Sequence, residues 1–175
     1  MPLIVRRLPA TLLAALASTM AFADVAAPVT APGITFVGLG IYCDADNTKT
    51  ETAPGTSLGY IHILPGQPEI AFHQQQVPAR LGVHFGVVVV SDRDIADVRN
   101  ETWKPGADRP EIWHTNLTAT VPRARGFVFE LADELVTGLW RMDAFDGNTL
   151  LYTVEWEVLP GSYLPGVTSD CDLMS

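Results

Sequence analysis

Four histidines, a short aspartate cluster and one serine between glycines are the residues whose type and spacing could do chemistry in this chain. His62, His73, His84 and His114 form no His-x-His, His-Glu-x-x-His or His-x-x-x-His pair. A zinc site would have to gather them from separate strands, as a shared sheet face for His73 and His84 would allow. Asp44-Ala45-Asp46-Asn47 opens like an oxygen-ligand calcium loop, but the sixth-position Gly and twelfth-position Glu of the helix-loop-helix pattern are missing. Asp170 and Asp172 flank Cys171 and would join Asp44 and Asp46 if Cys171 met Cys43. That corner is the candidate calcium site, with these four aspartates as ligands. Gly55-Thr56-Ser57-Leu58-Gly59 matches Gly-x-Ser-x-Gly literally. A nucleophile elbow needs a strand before it and a helix after it, whereas Pro54 precedes Ser57 and Tyr60-Ile61-His62-Ile63 reads as strand. Glu155 and Glu157 share the polar face of a strand, where solvation is the ordinary role of paired carboxylates. No residue is therefore assigned a catalytic role, and no phosphate-binding glycine loop is present.

The elements that must position these residues begin after a leader. Arg6 and Arg7, the apolar run Leu8 to Met20 and the small-x-small end Ala21-Phe22-Ala23 make residues 1–23 a secretory signal. The run is too short for a bilayer span and contains Pro9. Cleavage removes two of the 11 basic residues and none of the 20 acidic ones, leaving 152 residues at a formal charge of −11. Such a chain repels phosphate backbones and anionic membranes, so nucleic acid is excluded as a partner and no membrane span is expected in the mature chain. The destination is periplasmic or extracellular. In an oxidising compartment two cysteines, Cys43 and Cys171, point to one disulfide.

Residues 24–33 lack periodicity and read as a flexible leader, with a single domain over 34–175. From Ile34 onward short apolar runs alternate with Gly, Pro, Asn and Asp clusters, the pattern of an all-β sandwich of roughly eight antiparallel strands. Ile34–Tyr42 carries Gly38 and Gly40, which would admit a second backbone at close range. Leu81–Val90 is apolar on both faces in its second half and so central. Leu139–Phe145 and Thr149–Leu159 flank Asp146-Gly147-Asn148 as a hairpin. The aromatic stripe of Trp113, Trp140 and Trp156 belongs to the core. Trp103, beside Pro105-Gly106, is the candidate exposed binding aromatic.

Leu81-Gly82-Val83-His84-Phe85-Gly86, the Trp103-Lys104-Pro105 turn, Arg125-Gly126-Phe127-Val128-Phe129-Glu130 and Leu135-Val136-Thr137-Gly138-Leu139-Trp140 resemble a bacterial family of secreted domains of unknown function. The resemblance covers about half the chain, Leu81 to Val158, and implies an immunoglobulin-like sandwich with no catalytic residues to carry over. The expected role is an exported, non-enzymatic binding or accessory domain for an unknown protein or envelope component, without a cofactor. The alternatives are a calcium-binding or calcium-stabilised domain and, last, a small serine hydrolase built on Ser57.

Overall fold

A computed structural model describes residues 25–43, 49–64, 66–164 and 166–167. In these segments the chain runs through eleven strands: β1 (Val29–Thr30), β2 (Ile34–Tyr42), β3 (Lys49–Thr52), β4 (Tyr60–Ile63), β5 (Gln76–Ala79), β6 (His84–Ser91), β7 (Ile95–Trp103), β8 (Glu111–Leu117), β9 (Arg123–Val128), β10 (Gly138–Asp146) and β11 (Thr149–Pro160). A single 3₁₀ turn, Ala132–Glu134, stands between β9 and β10. No helix among the described residues is long and apolar enough to cross a membrane.

Two sheets enclose the core. The larger runs β1-β11-β10-β7-β8, with β5 also on β11; the smaller is β2-β6-β9, and β3-β4 forms a separate hairpin. The count is eleven rather than about eight, because short pairings at the rims carry too little sequence to show a period of two. Not every pair is antiparallel, since β5 runs parallel to β11. Pro78 lies inside β5, where a strand bonded on one side only can spare an N–H. Before β5, residues 69–75 contribute only an isolated bridge from Phe72 to Ile41.

Gly40 explains that bridge. Its φ is +147°, and a Cβ there would sit 2.0 Å from the Phe72 carbonyl oxygen, so only glycine lets the two backbones meet. β6 is central in its sheet, and Phe85, Val87, Val88 and Val89 are all buried, as its apolar sequence requires. Trp140 and Trp156 are fully buried beside Phe85 and Phe129, with Phe85–Trp156 centroids 5.2 Å apart and Phe129–Trp140 5.7 Å apart in edge-to-face contact.

Residues 25–33 are ordered against β11 rather than forming a flexible leader. Val29 and Thr30 pair with Thr153 and Tyr152, the Ala31 amide donates to the Leu151 carbonyl, and the Ala26 amide donates to Glu155. β11 is thus an inner strand. Glu157, expected on a solvated face, is buried and accepts a hydrogen bond from Gln76 Nε2 at 2.9 Å, because β5 covers it.

Candidate functional site

β8 ends the large sheet and β9 ends the small one, and the β3–β4 hairpin stands over the gap between them. The result is a cleft of about 610 Å³. Its floor and walls mix aromatic side chains, Trp113, Tyr60 and Phe127 among them, with a few charged groups.

One end is organised by Glu134. Its position in the 3₁₀ turn aims the carboxylate back at the chain: Oε2 accepts the amides of Glu130 and Leu131 at 2.9 and 3.0 Å, and Oε1 accepts the Ser57 hydroxyl at 2.7 Å. Lys104 Nζ sits 3.9 Å from Glu134 and 2.5 Å from Glu111, over the rings of Phe127 and Trp140. Buried carboxylate and ammonium thus satisfy each other, and Ser57 ties the hairpin to the sandwich. A hydroxyl that donates to a carboxylate with these other duties is a strut, and the literal Gly-x-Ser-x-Gly match sits in the β3–β4 loop rather than at a strand-to-helix elbow. A second strut joins His62 Nε2 on β4 to Glu130 at 2.9 Å, while His62 Nδ1 is buried without a hydrogen-bond partner.

The other end is cationic. Arg125 on β9 is buried, its guanidinium stacked 5.5 Å from the Trp113 ring centroid. Nη1 donates to the Ala124 carbonyl, and Nη2 donates to Thr115 Oγ1 and the Asn116 carbonyl. All three acceptors are neutral, and no carboxylate among the described residues forms an ion pair with it. Burial lowers its pKa from the usual arginine range. Burial likewise raises the Tyr42 phenol at the cleft wall.

The residues singled out from sequence fall into three groups. Asp44, Asp46, Asp170 and Asp172 lie outside the described residues; within them, no group of three or more His, Cys, Asp and Glu is placed to hold a metal. Cys43 is buried at the end of β2 and disulfide-bonded, while Cys171 lies outside the described residues. Trp103 is half-buried and does not line the cleft: its Nε1 donates to Glu101, and Arg141 covers its ring at 5.3 Å. His73 is exposed, His84 packs on Tyr42 at 5.4 Å, and His114 pairs with Asp97 at 2.8 Å.

Two cleft residues escaped the sequence reading. Trp113 shares the inward-facing stripe of β8 but ends half-buried in the cleft, since β8 is an edge strand whose inner face overhangs the gap. Arg125 had a visible signal: it shares an alternating face with Phe127 and Phe129, where a charge has no solvated place.

Fold and site together define an all-β sandwich with a cleft at its open edge. Residues 31–158 match the family described as a domain of unknown function, DUF3859, and the chain belongs to that family. Among solved structures it is similar to an immunoglobulin-like protein from Pseudomonas aeruginosa, at 18% identity over 78% of this chain and 100% of that one, with a TM-score of 0.45. No curated protein matches.

Proposed function

We propose that this chain is an exported, non-enzymatic binding domain whose ligand occupies the cleft between β8, β9 and the β3–β4 hairpin. The cleft carries the reading: about 610 Å³ lies within the size range of ligand sites, and its lining combines apolar and aromatic side chains with hydroxyl, imidazole and charged groups. The potential nucleophile Ser57 is engaged by Glu134, which is itself committed to two backbone amides and Lys104. Export follows from the signal-like residues 1–23.

The test uses the chain from residue 24 and a panel of unstructured peptides, peptidoglycan fragments and outer-membrane saccharides. A ligand present at a hundred times its Kd adds about 2.7 kcal/mol of stability, which raises Tm by roughly 5–10 °C for a domain of this size. At least one panel member is expected to do so, and Ala124→Trp, which adds a large side chain to the β9 lining, is expected to abolish the rise. An unchanged rise in that variant removes the ligand from the cleft. Turnover of p-nitrophenyl acetate that disappears in Ser57→Ala would replace binding with hydrolysis.

A further inference from the structure

β9 lines the cleft with six consecutive residues, Arg123 to Val128, and β4 with the residue after it contributes Tyr60 to Leu64 without a break. A sheet face would supply every second residue, because side chains alternate; unbroken runs mean that both strands turn their edges to the cleft. Among the described residues β9 is paired only with β6, and β4 only with β3. Among the described residues no backbone hydrogen bond joins β4 to β9. The two walls therefore present N–H and C=O groups that lack a strand partner, with the Ala124 carbonyl held by Arg125 Nη1 and the Tyr60 carbonyl by the Thr56 hydroxyl.

The gap is lined by charges of both signs, Glu51, Glu111 and Glu134 against Arg123 and Arg125, and they are unevenly matched. Arg125 projects from β9 with three hydrogen bonds, all to neutral oxygens, out of five N–H donors, and no carboxylate pairs with it among the described residues. A desolvated guanidinium without a counter-charge is an arrangement that an incoming carboxylate improves. At the Glu134 end the acidic groups are already matched by Lys104, so that end offers an acid nothing.

We infer that an extended peptide inserts as a strand between β9 and β4, with an Asp or Glu as cross-strand neighbour of Arg125. This rests on the cleft being the ligand site. Insertion would join the small sheet and the hairpin into one sheet, β2-β6-β9-peptide-β4-β3. Six residues of β9 at about 3.4 Å each span about 20 Å, which suits a partner segment of five or six residues. Directly opposed side chains lie about 5 Å apart, within reach of a carboxylate–guanidinium contact. Backbone bonds would supply affinity and the Arg125 position would select the acid.

Three pools of random hexapeptides test this: one with Asp fixed at the third position, a twin with Asn there, and an Asp pool N-methylated at alternate amides. The chain from residue 24 is titrated with each, reading Tm and tryptophan fluorescence. The Asp pool is expected to bind at least tenfold more tightly than either twin, and Arg125→Met to erase the difference between Asp and Asn. Equal binding of the Asn pool overturns the role of Arg125; equal binding of the methylated pool overturns strand insertion. Because these comparisons use the unaltered protein, they stand even if Arg125→Met fails to fold. If no pool binds but a saccharide does so in a manner blocked by Ala124→Trp, the peptide is refuted while the cleft remains the ligand site.

Discussion

Tyr152 and Arg125 show how single side chains set the limits of this fold. Tyr152 is buried on β11, its hydroxyl donating to Asn100 Oδ1 at 3.4 Å, and burial pushes its pKa up to about 12 from 10.0. The neutral phenol is thus favoured in the folded chain. The stability it contributes is complete below pH 10 and is lost as pH rises from 10 to about 12. Two pH units correspond to about 3 kcal/mol. Urea midpoints are expected to fall across that window, and Tyr152→Phe to flatten the fall; an equally steep fall in the variant would put the alkaline transition elsewhere. Tyr42 is raised in the same direction by burial. Arg125 was readable in part, as a charge on the Phe127 and Phe129 face, but its stacking on Trp113 depends on two edge strands from different sheets.

Among the elements, the long, strongly alternating strands are those the residue pattern predicts. β2 matches its expected span, and the hairpin of β10 and β11 forms around Asp146-Gly147-Asn148. The short rim strands are different. β1 has two residues and no period, and it forms because the edge of β11 opposite β10 leaves Tyr152 and Thr153 a backbone to pair with. Removing residues 24–33 deletes the Ala31–Leu151 and Ala26–Glu155 hydrogen bonds as well as the β1 register. At roughly 1 kcal/mol net per bond, the truncation is expected to cost about 2–3 kcal/mol and lower Tm by several degrees. A truncated chain with the parent's Tm would mean that β1 contributes nothing to the sandwich.

For the whole molecule, compartment and covalent closure belong together. Cys43 stands at the end of β2, beside Tyr42 on the cleft wall, and we expect Cys171 to be its partner. The bridge closes a loop of 128 residues. Chain-entropy reasoning assigns such a loop about 4–5 kcal/mol. Intact mass of the exported chain under non-reducing conditions should show cleavage after Ala23 and the loss of two hydrogens, and reduction should lower the urea midpoint. Two free thiols would refute the pairing. By itself the sequence determined the all-β class, the central place of β6, the burial of Trp140 and Trp156 and the acidic charge, because period-two alternation and composition are local properties. Only the tertiary structure decided the cleft. It arises where β8, β9 and β4 bring edges from three separate pairings together, and a strand's own residues do not encode whether a neighbour will cover its edge.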